Sequence, residues 1–248
     1  MTSTAQSPPV VHVTHWKAGS QWVRSVLAHM FPDRIVEPQV ANEHVTKHPI
    51  ERGRIYPTVY MDRLAFEQIG APDDCAVFFV VRDLRDTVVS SYFSQLKSHP
   101  LVDPSGRPHP GLAETRAALR ARSKEEGLLH LVETTLESTA AIQSSWLDAS
   151  VPVFRFEDLV VDERGQFAAI LDVCGLPRDQ PSFESALSTH SFETVTGRRR
   201  GVEDTSSHLR KGAPGDWRNH FTDAVKAAFA ERYGDLLIRA GYETGTSW

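Results

Sequence analysis

Apolar positions along the chain fall into two alternating kinds of run. Short continuous ones, Val10–Thr14 and "CAVFFVV" (75–81), have the length and β-branched content of strands buried on both faces. "IYPTVY" (55–60) and "VPVFRF" (151–156) are shorter candidates, the first interrupted by Pro57. Between them the spacing turns helical. Trp22, Val23, Val26, Leu27 and Met30 share one helical face from Ser20 to a stop at Phe31-Pro32. Leu84–Lys97, His130–Leu147, Phe167–Cys174 (ended by Gly175 and Pro177) and a last long stretch over 222–240 also read as helices. Residues 42–54 read as a polar loop. Residues 98–111, with four prolines and two glycines, read as a passive connection or as a lid over a substrate pocket. Strands alternating with helices predict an α/β fold of three layers, a mostly parallel central sheet flanked by helices.

Length and composition narrow this picture. A chain of 248 residues with 40% hydrophobic content can bury one sizeable core, so one domain is expected, with the polar residues 1–9 as a flexible N-terminus. A net charge of −5 argues against a nucleic-acid partner but leaves room for a local basic pocket. The first nine residues lack the pattern of a signal peptide, and no apolar run approaches the ~20 residues of a membrane span. Cys75 and Cys174 fit no metal spacing and read as buried free thiols, which suits a reducing, cytoplasmic setting.

The first strand-to-helix turn carries the candidate chemistry. Such a turn points backbone N–H groups and a helix dipole at an anion. Gly19 permits close approach, Ser20 adds a hydroxyl and Lys17 a mobile positive charge, so a phosphate-like oxyanion is the natural guest; a turn without a ligand is the competing reading. The nucleoside triphosphate motif G-x-x-x-x-G-K-[ST] is not matched, because here the lysine precedes the glycine. Two further segments add cations. Arg82 ends a buried strand, with Ser90 eight residues on, and Arg210, Lys211 and Gly212 are consecutive. Two cations and a glycine N–H can wrap a doubly charged phosphate. Alternatively, Arg82 pairs with Asp86 and Arg210-Lys211 is a solvated charge run.

Taken in order, these three segments resemble the cytosolic-type sulfotransferases that use 3′-phosphoadenosine 5′-phosphosulfate (PAPS). Trp16 to Trp22 resembles the family's Pro-Lys-Ser-Gly-Thr-Thr-Trp. Arg82 and Ser90 match its strand arginine and following serine. Residues 210–218 match Arg-Lys-Gly-x-x-Gly-Asp-Trp-Lys/Arg at every fixed position. The resemblance implies a P-loop-like nucleotide-binding architecture, a single sulfotransferase domain over 1–248, and transfer of a sulfuryl group to a small-molecule acceptor, an alcohol or phenol. It implies that Lys17 meets the oxygen bridging sulfur and phosphorus, and that Gly19, Ser20 and Gln21 offer N–H groups to the 5′-phosphate. Ala18 and Gln21 replace hydroxyl residues usual in that loop. Trp22 is then expected near adenine, with Phe156 of "FEDL" standing where a tyrosine is usual. Phe192 of "HSFET" is either an adenine-stacking ring or a core phenylalanine. Arg82, Ser90, Arg210, Lys211 and Gly212 are expected on the 3′-phosphate. No metal is implied.

The family's general base, a histidine in a Lys-Thr-His context, has no direct counterpart. Counting back from Arg82 places Tyr60 nearest, as base, as acceptor-positioning group or as a packed half-buried tyrosine; His48 in "TKHP" is the other candidate. A tyrosine with a pKa of about 10 is a poor base near neutrality. A kinase-like phosphotransferase and a nucleotide-binding protein that has lost turnover are the rival readings. The family's C-terminal dimer motif is only partly matched, at Arg218, Thr222, Asp223 and Ala227, which leaves the oligomeric state open.

Overall fold

The computed structural model describes residues 7–38, 40–103, 106–246 and 248. β1 (Val10–Thr14) leads into α1 (Ser20–Met30), the one-turn helix α2 (Glu43–Thr46), β2 (Ile55–Val59), α3 (Arg63–Gln68) and β3 (Ala76–Val81). α4 (Leu84–Phe93) runs on as a π-helical turn over Ser94–Ser98, followed by α5 (Leu112–Arg120), α6 (Lys124–Thr134) and α7 (Leu136–Leu147). Then come β4 (Val153–Arg155), α8 (Phe156–Val161), α9 (Glu163–Val173), α10 (Gln180–His190), α11 (Phe192–Thr196) and α12 (Asp223–Arg239). Two compact bodies result. One takes the chain up to Arg82 with Ala141–Gly197, the other Asp83–Ala140 with Arg198–Trp248.

The first body holds the whole sheet, in the order β2-β1-β3-β4, with every pairing parallel. Because side chains alternate along a strand, each strand feeds two cores. Val10, Ile55, Phe78 and Val80 pack with Val26 and Leu27 of α1, Phe167 and Leu171 of α9 and Phe183 of α10. Val11, Val13, Tyr56, Phe79 and Val81 pack with Val45 of α2, Phe66 of α3 and Trp146 of α7. This is the expected α/β arrangement, with helices on both faces of a parallel sheet. Pro57 does not end β2, because β2 is an edge strand and the N–H that proline lacks is not needed on its open side. The register of β2 against β1 slips by one residue between Val11↔Tyr56 and Val13↔Val59, where Thr58 takes a φ of 67°.

Several boundaries differ from expectation. The polar 42–54 segment contains the turn α2. The helix expected from His130 begins at Lys124, capped by a Ser123–Glu126 capping box, and breaks at Thr135. The strand over 151–156 is shorter, since Phe156 already starts α8. Residues 7–9 are tied down, with Gly53 N–H donating to Ser7 O (2.7 Å) and Ala76 N–H to Pro9 O (2.9 Å). Residues 1–6, the rest of the expected flexible terminus, lie outside the described residues, as do 104–105 of the proline-rich loop. Both cysteines are free; Cys174 is buried as expected, Cys75 only half-buried, and desolvation pushes each thiol up to about 12, which disfavours a reactive thiolate. Among the described residues no helix is long and apolar enough to cross a membrane.

The second body packs α6 against α4, α5 and α12. At its centre Arg85 is fully buried. Its guanidinium lies over the rings of Trp217 (4.0 Å) and Trp248 (4.5 Å) and is paired with Asp83 (2.7 Å) and Glu243 (2.5 Å).

Candidate active site

In the first body, the turn after β1 is held by the strand beside it. Thr14 Oγ1 donates to Val80 O (2.9 Å). His15 bridges turn and strand: its Nε2 accepts the Arg82 N–H (3.1 Å) and its Nδ1–H donates to Trp16 O (3.0 Å), which fixes the tautomer. Burial pushes the His15 pKa down to about 4, so the ring stays neutral in that role. The neighbouring His12 is buried and stacked on Phe78 (4.8 Å), its pKa pushed down to about 3 by desolvation.

Lys17 (φ 68°) and Gly19 (φ 82°) both take the left-handed conformation, turning the chain sharply before α1. Gly19 is needed for a second reason. A Cβ there would lie 2.7 Å from the Phe156 ring. Arg82 donates to Lys17 O (2.8 Å), and its guanidinium lies over the same Phe156 ring (4.5 Å). Trp22 meets Phe156 edge-on (6.4 Å) and Phe167 (5.3 Å). The structure therefore assembles Lys17, Gly19, Trp22, Arg82 and Phe156 as one constellation. Phe156 is a buried plate beneath loop and arginine. Phe192 is buried too, at the start of α11.

Tyr60, the residue after β2, joins the constellation. The slip at Thr58 switches which face the residues after it present, and Val59 packs into the core that Tyr56 also enters. The Tyr60 hydroxyl shares a hydrogen bond with Ser20 Oγ (2.8 Å), and its ring stacks on Trp16 (5.1 Å, 9°). Asn42 clamps the Tyr60 backbone, accepting its N–H (2.8 Å) and donating to its C=O (2.6 Å). Burial pushes the Tyr60 pKa up, only partly offset by the Ser20 hydrogen bond and the charge of Arg24. His48, by contrast, is exposed on the turn after α2, and the buried histidine of that segment is His44, stacked on Tyr56 (6.2 Å).

In the second body, Ser90 lies on α4, one turn before Phe93, over whose ring sits the Arg210 guanidinium (4.5 Å). Arg210 is 8% exposed and is paired with both Glu203 and Asp216. Lys211 also donates to Asp216, through one of its three N–H groups. Asn219 and His220 complete the set of donors around that carboxylate. Burial alone would raise the Asp216 pKa, but the bonds from His220, Lys211, Asn219 and Arg210 outweigh it and hold the group well below the usual carboxylate range. The sequence reading missed this hub, although Asp216 is a fixed position of the third motif. Arg210-Lys211 is therefore no solvated charge run.

The backbone of this segment is held from outside. Arg198 donates to Arg210 O (2.8 Å) and Leu209 O (2.6 Å), and Gly201 N–H to Lys211 O (2.8 Å). Asp86 accepts the N–H groups of Gly215 (2.5 Å) and Trp217 (2.9 Å), so its structural role is to cap this loop. Glu203, Asp216 and His220 bring possible metal-ligand atoms within 4.8 Å of one another, but Arg210 and Lys211 already supply positive charge to these carboxylates.

The family model for the sulfotransferase domain matches residues 7–241, so the chain belongs to that family. Membership makes it a PAPS-dependent sulfotransferase, as the three motifs implied. It is similar to the 3-alpha-hydroxysteroid sulfotransferase of Cavia porcellus, 24% identical over 94% of this chain and 84% of that one. The fold is shared with mouse sulfotransferase SULT7A1 complexed with PAP (TM-score 0.62, 17% identity, 96% of this chain and 88% of that). It is shared also with a retinol dehydratase in complex with androsterone and the inactive cofactor PAP (TM-score 0.57, 14% identity, 92% and 80%).

Proposed function

We propose that this enzyme moves the sulfuryl group of PAPS to a hydroxyl or amine of a small-molecule acceptor, without a metal, and that Lys17 acts at the bond that breaks. The observation carrying this is the left-handed Lys17–Gly19 turn, locked to Arg82 and seated on Phe156 at the start of α1. In that turn the N–H groups of Gly19, Ser20 and Gln21 face the 5′-phosphate, with Ala18 as a packing position. The acceptor oxygen forms a bond to sulfur as the bridging oxygen leaves with its electron pair, and the Lys17 ammonium meets the charge that grows there. Arg82, Ser90, Lys211 and Gly212 read the 3′-phosphate. Arg210, the further cation expected on that phosphate, is paired with Glu203 and with Asp216, the carboxylate that also holds Lys211. Phe156 and Trp22 flank the base, and Phe192 keeps a core role. PAP complexes among the structural neighbours and a hydroxysteroid-named relative support the donor and the acceptor class. Residues 1–248 then work as one sulfotransferase domain, since the family match runs through both bodies. Free Cys75 and Cys174 suit a cytoplasmic location.

The test is thermal. Adenosine 3′,5′-bisphosphate is expected to raise the melting temperature, whereas ATP with magnesium is not. Stabilisation by ATP alone would turn the assignment to the kinase-like rival. Product formation from PAPS distinguishes an enzyme from a binding module. Arg82→Ala and Lys211→Ala are each expected to weaken binding of the bisphosphate by one to two orders of magnitude, the size of a lost charge-assisted hydrogen bond, roughly 1.5–3 kcal/mol. Binding of adenosine 5′-phosphate should barely change, and equal losses for both ligands would show that these residues support the fold instead.

Tyr60 is assigned to positioning the acceptor rather than to taking its proton: burial raises its pKa, which favours the protonated hydroxyl, and the bond to Ser20 holds that hydroxyl in place. Tyr60→Phe is expected to slow transfer only a few-fold and to leave the shape of the pH–rate profile unchanged. Loss of the alkaline rise in rate would restore Tyr60 as the base, and a collapse of activity in His48→Ala would move that role to His48.

A further inference from the structure

We infer that a hollow at the end of the sheet opposite the Lys17 turn is a second ligand site, built for a small organic anion: a sulfate or phosphate ester on an apolar body. It lies apart from the proposed sulfuryl transfer, and its occupation does not depend on that reaction.

The hollow has a volume of about 450 Å³, the size of a small-molecule pocket, and lies between the end of α1 and the start of β2. Every strand pairing is parallel, so residues 52–54 sit at the N-terminal edge of the sheet and the turn after β1 at its C-terminal edge. α1 joins the two ends. Ser20 starts it at the turn and Met30 ends it on the wall of the hollow, and its 11 residues span roughly 16 Å. A guest in the hollow therefore touches neither Lys17 nor Tyr60. Ligands of open α/β sheets sit as a rule beyond the C-terminal ends of the strands, so the fold does not by itself account for a pocket at this end.

Charge is what marks it as a site. Arg34, Arg52 and Arg54 line it, against a single carboxylate, Asp33. Arg52 is paired with Asp74, outside the lining (2.6 and 2.9 Å). Arg34 and Arg54 form no ion pair among the described residues. Each reaches a neutral carbonyl instead: Arg34 Nε–H donates to Gly53 O (2.6 Å) and Arg54 Nη1–H to Asp33 O (2.8 Å), a reciprocal clasp between the two segments. The clasp uses one of the five N–H donors on each guanidinium. The Arg54 Nε is buried and has no hydrogen-bond partner. Burial pushes the Arg34 pKa down, with no carboxylate to offset it. Two half-buried cations without counter-charge are costly, and an anion between them removes that cost. A guanidinium fork fits the oxygens of a sulfate or phosphate head. Met30, Phe31 and Pro32 supply an apolar wall, which a bare inorganic ion does not use. The Arg34 guanidinium lies 5.8 Å from the centre of the Phe31 ring, so the places for head and body adjoin. The sulfated product of the proposed reaction and an organic phosphate ester share this chemistry.

The experiment is calorimetry on the full chain saturated with adenosine 3′,5′-bisphosphate. The probes are 2-naphthyl sulfate and 2-naphthyl phosphate, and the controls are 2-naphthol and inorganic sulfate. Arg34→Gln and Arg54→Gln are each expected to weaken ester binding about ten-fold, the effect of one lost charge-assisted hydrogen bond. Neither should change the affinity for 2-naphthol or for the bisphosphate. Asp33→Asn removes the carboxylate of the lining but leaves the backbone carbonyl that Arg54 grips, and is expected to tighten both esters about two- to three-fold. Inorganic sulfate should bind about ten-fold more weakly than 2-naphthyl sulfate, because it leaves the apolar wall uncovered. The tighter of the two esters names the head group. Ester affinity that is equal in the parent and both arginine variants places the probes elsewhere, in the acceptor pocket for instance, and overturns the inference. So does a parallel loss for 2-naphthol, which would give the arginines a role in the fold alone, and so does inorganic sulfate that binds as tightly as its ester. Should the arginine variants fold poorly, Asp33→Asn decides: ester affinity no tighter than in the parent overturns the site.

Discussion

Lys17→Ala is expected to lower the single-turnover rate of sulfuryl transfer by roughly 100- to 1,000-fold, the loss seen when one preorganised charge-stabilising donor is removed from an active site. Binding of adenosine 3′,5′-bisphosphate should fall far less. The separation follows from where each part of the residue acts. The Lys17 carbonyl, which Arg82 grips, and its left-handed backbone shape the loop, whereas the ammonium is assigned to an oxygen whose charge grows only as the bond breaks. An interaction made chiefly in the transition state shows in the chemical step and not in ground-state affinity. Alanine at φ 68° also carries some backbone strain, so Lys17→Arg is the companion variant: it keeps charge and backbone and changes only reach and shape. Rates within a few-fold of the parent for Lys17→Ala, with PAPS bound, would remove the residue from the chemistry.

Much of the fold and part of the site could be read from the sequence, and the division has a physical basis. β1, β3, α1 and α12 stand out because each buries a continuous run or a periodic face, and burial is what hydrophobic pattern reports. Helix starts were missed where capping, not hydrophobicity, sets them. Ser123 with Glu126, Asp162 with the Gly165 N–H, and Asp179 before Pro181 all carry visible start signals that the apolar pattern overrode. The three motifs were legible because their residue types and order resemble those of the family, whose match runs through all three. What each side chain meets was not. The slip at Thr58, the Asn42 clamp on Tyr60 and the Phe156 ring under Gly19 arise from residues distant in sequence that only the fold brings together. The ambiguity over Arg82 and Asp86 belongs here as well: Arg82 reaches Lys17 O, and Asp86 accepts two N–H groups beyond Gly212, neither of which local spacing can show.

Asp216→Asn is expected to destabilise the protein by about 3–5 kcal/mol, the usual cost of removing one partner from a buried ion-pair network. For a chain of this size that corresponds to a fall in melting temperature of roughly 10 °C. The side chain is 2% exposed and accepts from Arg210, Lys211, Asn219 and His220. Asparagine keeps the shape but loses the charge, and one of its two terminal atoms becomes a donor aimed at donors. Lys211 then loses its ion-pair partner, while Arg210 retains Glu203. The pH dependence gives an independent check. The folded-state pKa of Asp216 is depressed, so its contribution is present in full above the unfolded carboxylate value of about 3.9 and is lost as pH falls toward the lower folded value. The stability gap between parent and variant should therefore be widest near pH 7 and should narrow as the pH is taken below about 5. Urea titrations of both proteins between pH 3 and 7 measure this directly. A gap that stays constant over that range would mean that Asp216 stabilises the Arg210–Gly215 segment through its shape and not through its charge.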